Sequence, residues 1–277
     1  MADGVLRRYG WRGEAAQDVA RVTCSHGDYY TIIGEKTGGE TLARGKKSVF
    51  ARGAVRPIAG DFVRFAHNSA GESTITELLE RHSRFERRDP GARRKSQTLA
   101  ANFDVLAIAM APGGDYSVRR IERYLALAED MGDARAAVIL TKCDLAPEWG
   151  GRPPQDLVEA VGGRAEAFCV SAEDGTGLER LRELAAPGAT IAFVGSSGAG
   201  KSTLINTLAG EELAAVREVQ EWSGRGRHTT TSRRLYMLPS GAMAIDTPGV
   251  REIGMVGEVD AVLAKGASTH RWRMQAR

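Results

Sequence analysis

One segment limits the fold more than any other: Gly195, Ser196, Ser197, Gly198, Ala199, Gly200, Lys201 and Ser202. It matches G-x-x-x-x-G-K-[ST] and sits in the context that pattern requires. A strand-like apolar run, residues 190–194, comes before it, and a helical segment, residues 201–208, follows. The glycines let the backbone curl so that its N–H groups converge on phosphate oxygens. The helix N-terminus adds partial positive charge at the same point. Lys201 is placed to neutralise β- and γ-phosphates, and Ser202 to offer its hydroxyl to magnesium. The base carried by those phosphates is not specified by this loop.

The flanking pattern agrees with an α/β domain. Buried-strand runs at residues 105–110, 136–140, 167–170 and 190–194 alternate with helical segments at 118–131, 157–161 and 178–184. Such alternation predicts a mostly parallel sheet with helices on both faces. Before residue 80 the texture differs: short alternating strands are separated by closely spaced turn signals, which predicts a small all-β barrel or sandwich. Between the two lies a stretch dense in Arg81, Arg84, Arg87, Arg88, Arg93, Arg94 and Lys95 and broken by Pro90 and Gly91. It reads as a basic linker, either solvated or in contact with a polyanion. A second basic group is Arg225, Arg227, Arg233 and Arg234. The expected division is an extension at 1–17, a barrel at 18–80, a linker at 81–97, the α/β domain at 98–256 and a tail at 257–277.

Hydrophobic residues make up 42 % of the chain, enough for a sizeable core. No run of about 18 apolar residues occurs, so no membrane span is expected. The first residues are basic without an apolar stretch after them, so no secretory signal is read and a cytoplasmic location is the expectation. A monomer is expected as well. Three scattered cysteines, Cys24, Cys143 and Cys169, argue against a disulfide framework. Cys169 reads as a core residue.

Four further elements surround the phosphate loop. Thr141, Lys142, Cys143 and Asp144 directly follow a strand and match [N/T]-K-x-D. The Asp144 carboxylate can accept from guanine N1–H and the 2-amino group, where adenine offers no matching donors. The aliphatic stem of Lys142 can cover the base plane. Ser171 and Ala172 follow the next strand and fit the short element whose backbone caps the guanine oxygen. Asp246, Thr247, Pro248 and Gly249 fit D-x-x-G, with Asp246 toward magnesium and the Gly249 N–H toward the γ-phosphate. The polar loop between these holds His228, Thr229 and Thr230, and Thr230 is the favoured magnesium ligand. The predicted cofactors are therefore GTP or GDP with Mg²⁺.

The order of these motifs is unusual. Base-reading elements precede the phosphate loop, so the chain reads as a circularly permuted GTPase domain, a rearrangement that closely spaced termini permit. At this point the sequence resembles the ribosome small-subunit-dependent GTPase A family (RsgA, also called YjeQ). The resemblance rests on Thr141 to Asp144, Gly195 to Thr203, the Gly226 to Thr231 loop, Asp246 to Glu252 and the segment Arg119 to Ala126. It implies an OB-fold for the N-terminal barrel. It also implies that the small ribosomal subunit and its rRNA are the partners, with a late role in subunit maturation. The family carries a zinc-binding C-terminal domain with three cysteines and a histidine. Here no cysteine follows Cys169, and His270 alone makes no zinc site, so the zinc site is expected to be missing.

Val250 stands where Ras-like enzymes place a water-orienting glutamine, so intrinsic hydrolysis should be slow, with a partner or a switch-loop residue such as His228 positioning the water. The resemblance implies that the small subunit stimulates hydrolysis. Lys201 and Thr230 are candidate catalytic residues, and His228 is either a water-positioning residue or a loop or RNA contact. Two competing readings are a permuted GTPase acting on the large subunit, a group that usually lacks the barrel, and an RNA-binding module with a vestigial nucleotide site. Tyr29, Tyr30, Phe50, Phe62 and Phe65 are the aromatic candidates for an RNA-binding barrel face or for the barrel core.

Overall fold

The computed structural model describes residues 4–14, 16–46, 49–50, 54–88, 96–213 and 233–247. A short helix α1 (Val5–Arg8) leads into five strands: β1 (Val19–His26), β2 (Tyr29–Gly34), β3 (Thr41–Gly45), β4 (Phe62–Ala66) and β5 (Ser73–Leu78). They follow the order β1-β2-β3-β5-β4, and β4 returns to pair with β1, closing a barrel. Alternation fills it: Val22, Ile32, Ala43, Val63 and Ile75 point inward and are fully buried. Tyr30, Phe62 and Phe65 are also buried. Of the five aromatic candidates, only exposed Tyr29 and half-buried Phe50 reach solvent.

Residues 81–97, read as a linker, are partly strand. β6 (Arg84–Arg88) and β7 (Ser96–Ala101) form an antiparallel hairpin. Its apolar residues Phe85, Leu99 and Ala100 join the core of the following domain, with Phe85 stacked on Tyr124 at 6.1 Å between centroids. The dense arginines hid the period-two signal. Arg81 is not a solvated charge either: its guanidinium makes paired bonds of 2.7 Å to both carboxylate oxygens of the buried Asp61.

The remaining elements are β8 (Val105–Met110), α2 (Val118–Ala128), β9 (Arg135–Leu140), α3 (Gln155–Val161), β10 (Glu166–Cys169), α4 (Leu178–Leu184), β11 (Thr190–Val194), α5 (Lys201–Ala209), β12 (Arg233–Met237) and β13 (Met243–Asp246). Strands β10-β9-β8-β11-β13 are parallel, and β12 runs antiparallel beside β13. Period two sorts the side chains of β8. Leu106, Ile108 and Met110 pack with Ile121 and Leu125 of α2 and Leu157 and Val161 of α3. Val105, Ala107 and Ala109 pack with Leu181 and Leu184 of α4 and Leu204 and Ile205 of α5. Helices therefore cover both faces, as the alternation predicts.

Barrel and α/β domain share one sheet of eleven strands, joined where β1 pairs with β12 (Cys24 opposite Arg234, Ser25 opposite Arg233). Arg233 and Arg234, expected in a basic surface group, thus lie in the seam, and Arg234 pairs with Glu40 of the barrel at 3.1 Å. Arg21 of β1 is buried in the same seam. It donates to the carbonyls of Gly60 (3.2 Å), Asn102 (2.6 Å) and Tyr9, and to Thr190 Oγ1 (3.2 Å), and it lies 4.8 Å from the Phe62 ring centre. Burial pushes its pKa down to about 10, against the pull of Asp104 and Asp61. Among the described residues no helix is long and apolar enough to cross a membrane.

Candidate active site

The site forms at the C-terminal ends of β8, β9, β11 and β13. β11 delivers the phosphate loop at the centre of the sheet, between β8 and β13. Gly195 has φ +148°, and a Cβ there would stand 2.3 Å from the Ala109 carbonyl oxygen, so only glycine allows the loop this close to β8. Lys201, the first residue of α5, is buried and folds back over its own loop. Its Nζ donates to the carbonyls of Gly195 (3.1 Å) and Ser196 (2.7 Å). Burial lowers the lysine's pKa, while Asp246 and Asp115 act against that shift.

Asp246 ends β13, with its backbone opposite Phe193 of β11. Ser202 Oγ donates to Asp246 Oδ2 at 3.3 Å, so the hydroxyl and the carboxylate expected to serve magnesium stand side by side. Thr247 Oγ1 donates to the Phe193 carbonyl at 2.6 Å and pins the chain as it leaves the strand.

The Thr141-to-Asp144 loop is tied directly to the Gly195-to-Ser202 loop. Thr141 Oγ1 donates to the Ala199 carbonyl at 2.9 Å, and Lys142 Nζ donates to that of Gly198 at 3.0 Å. Lys142 itself is left-handed (φ 55°), an uncommon state for a residue with a side chain, and it turns the backbone into the single 3₁₀ turn Cys143–Leu145. Asp144 is exposed, and its Oδ1 accepts from Ser171 Oγ at 2.7 Å. Ser171 is buried and also accepts from the N–H groups of Glu173 and Asp174, with exposed Ala172 next in sequence. A carboxylate has room for several donors, so Asp144 retains acceptor capacity.

Asp115, to which no sequence motif pointed, also touches the Gly195–Ser202 loop. It ends the 3₁₀ turn Gly113–Asp115 ahead of α2. Its carboxylate accepts from Ser196 Oγ in the phosphate loop, from Arg120 Nη1 at 2.5 Å and from the Ala111 N–H at 2.9 Å. The only sequence signal near it was the family-like stretch beginning at Arg119. Ser197, Gly198 and Thr203 lie on the exposed side of the loop and of the first helical turn. Thr230, His228, Gly249, Val250 and the tail with His270 fall outside the described residues.

The RsgA GTPase family model matches residues 78–256, a span that takes in the β6–β7 hairpin and the whole permuted domain. The chain belongs to the RsgA GTPase family. It is a GTP-hydrolysing enzyme, and the family implies GTP or GDP with Mg²⁺ as its ligands. One relative is the small ribosomal subunit biogenesis GTPase RsgA of Leptospira interrogans, 37 % identical over 274 residues, which span 92 % of this chain and 72 % of the relative. Solved structures agree on the fold. YjeQ from Thermotoga maritima superposes with a TM-score of 0.58 at 22 % identity, covering 86 % of this chain and 77 % of that one. YloQ, described as a circularly permuted GTPase, gives 0.52 at 17 %, covering 88 % and 76 %.

Proposed function

We propose that this GTPase acts in maturation of the small ribosomal subunit, hydrolysing GTP slowly alone and faster when bound to the subunit. The observation that carries the site reading is the pair of bonds from Thr141 and Lys142 to the carbonyls of Ala199 and Gly198. They couple a guanine-type loop to a phosphate loop from which it is separated by more than fifty residues of sequence. The subunit assignment rests on the names of relatives such as the Leptospira protein.

In this reading Asp144 selects guanine by accepting from N1–H and the 2-amino group, while the Lys142 stem lies along the base. Ser171, bonded to Asp144, holds that carboxylate in place, and the backbone at Ala172 caps the guanine oxygen. Lys201 exchanges its two loop carbonyls for phosphate oxygens, which relieves the burial of an ammonium. Ser202, Asp246 and Thr230 hold magnesium, which supplies charge neutralisation to the phosphates when bound. The Gly249 N–H reads the γ-phosphate, and His228 or the subunit orients the attacking water, because Val250 has no group that can.

The barrel offers a surface for rRNA. Tyr29, Phe50, Arg44 and Arg56 border a hollow of about 440 Å³, with the Arg44 guanidinium 4.4 Å from the Tyr29 ring centre. Aromatic faces flanked by arginine suit unpaired bases. The proposed working form is a cytoplasmic monomer that meets the subunit through this barrel, residues 18–80, while residues 98–256 turn over GTP. GTP turnover with and without small ribosomal subunits, at two salt concentrations, tests the whole reading. A rise of at least tenfold, weakening with salt, is expected. Equal rates with small subunits, large subunits and none would refute it.

A further inference from the structure

Two of the three cysteines lie on or just before the two loops proposed to hold the base. Cys143 is the third residue of the Thr141-to-Asp144 element, and Cys169 ends β10 two residues before Ser171. β9 and β10 pair in parallel with Cys169 opposite Leu140. Cys143 turns back onto that same point: its N–H donates to the Val170 carbonyl at 3.3 Å, and its thiol donates to the Leu140 carbonyl at 2.9 Å. Both side chains are buried in one cluster, and neither is in a disulfide. Interaction between the two thiols pushes Cys143 up and Cys169 down. Burial and the neighbouring Asp144 raise Cys143 further. Cys169 is therefore the more readily ionised thiol of the two, and Cys143 stands beside it.

We propose that Cys143 and Cys169 form a reversible disulfide that lowers guanine-nucleotide affinity when the protein meets a hydroperoxide. Having released its proton, the Cys169 thiolate attacks one peroxide oxygen; the O–O bond breaks, a sulfenic acid is left on Cys169, and the leaving oxygen takes up the released proton to depart as water or an alcohol. The Cys143 sulfur then attacks Cys169 Sγ; the S–O bond breaks, a second water leaves with the Cys143 proton, and the S–S bond forms. The two thiols lose two electrons in total and the hydroperoxide gains them. A dithiol such as dithiothreitol returns both cysteines to thiols by exchange through a mixed disulfide and is itself oxidised to a cyclic disulfide.

The loss of affinity follows from the geometry. An S–S bond of about 2.05 Å is shorter than any contact between unbonded sulfurs, so the bond draws the two loops together. It also removes the proton that Cys143 donates to Leu140. The left-handed Lys142 and the tight turn after it leave little slack before Asp144, so the shift reaches the carboxylate and its bond to Ser171. This inference rests on the base-reading role proposed for Asp144.

The test uses the full chain treated with hydrogen peroxide, alkylated with iodoacetamide and mapped by mass spectrometry. Fluorescent mant-GDP binding is measured before treatment, after it and after dithiothreitol. A linked Cys143–Cys169 peptide and at least a tenfold rise in Kd, restored by reductant, are expected. Cys169→Ala should lose the response and Cys24→Ala should keep it. By reciprocity, saturating GDP should lower the equilibrium fraction of linked peptide in a dithiothreitol redox buffer. Wild-type protein in which both thiols still alkylate, or in which they link without a change in Kd, overturns the proposal. If the untreated protein fails to bind mant-GDP, the base-reading assignment falls as well.

Discussion

Replacing Arg21 with methionine keeps the length and apolar stem of the side chain but removes its fork of donors from the seam between barrel and α/β domain. The Gly60 carbonyl would still accept from Asn102 Nδ2 at 3.2 Å, and the Thr190 hydroxyl can rotate. The carbonyl of buried Asn102 loses the guanidinium, as does that of half-buried Tyr9. A buried acceptor that loses its partner costs about 1–3 kcal/mol. Relief of the arginine's own desolvation, which lowers its pKa to about 10, offsets part of this. The net expectation is a loss of about 2 kcal/mol. For a chain of this size that lowers the first thermal transition by roughly 4–8 °C. Differential scanning calorimetry with circular dichroism would read it. Arg21→Lys should recover less than half of the loss, because one ammonium cannot span acceptors placed for a planar fork. A methionine variant within 2 °C of wild type would refute the view that this arginine joins the two halves.

Other outcomes follow from single contacts. Lys201→Ala should raise the Kd for mant-GTP by at least a hundredfold with the fold intact by circular dichroism; near-normal affinity would remove Lys201 from the phosphate role. Asp144→Asn turns an acceptor into a donor and should shift preference toward xanthosine nucleotides, so unchanged GTP selectivity in competition binding would displace it. Gly195→Ala, whose added carbon would stand 2.3 Å from the Ala109 carbonyl, should abolish nucleotide binding or folding; full turnover in that variant would contradict the loop packing. His82 has its pKa lowered by burial, then by Arg12, and its Nδ1 has no hydrogen-bond partner. As pH falls below about 6.5 the unfolded chain takes up this proton before the folded one does, so stability drops. His82→Gln should flatten that slope in urea titrations between pH 7.5 and 5.5, and an unchanged slope would count against it.

Local chemistry made part of this molecule legible in advance. The glycines at 195, 198 and 200 with Lys201, and the Thr141-to-Asp144 element after a strand, depend on neighbours a few residues away. So does the alternation that separates the two faces of β8. Contacts between distant segments were not legible. Nothing near Asp115 announces Ser196, 81 residues on, as its partner. Nor does the sequence at Arg21 say that carbonyls from positions 9, 60 and 102 will surround it. Phe85 was hidden among arginines whose charge suggested solvent, although the strand carries it into a core. Tyr29 and Tyr30 are adjacent in sequence and face opposite ways, a difference set by barrel closure rather than by residue type.

The ladder between β1 and β12 has a mechanical consequence. Two bodies joined by a loose tether can swing independently, and a pull on one is absorbed by the tether. Here the barrel is fastened edge to edge to the strand that lies between the Thr230 and Asp246 positions in the chain, so there is no slack to take up. A pull on the barrel would therefore reach β13 and Asp246 through the two paired ladders, β1 with β12 and β12 with β13, backed by the Arg234–Glu40 pair.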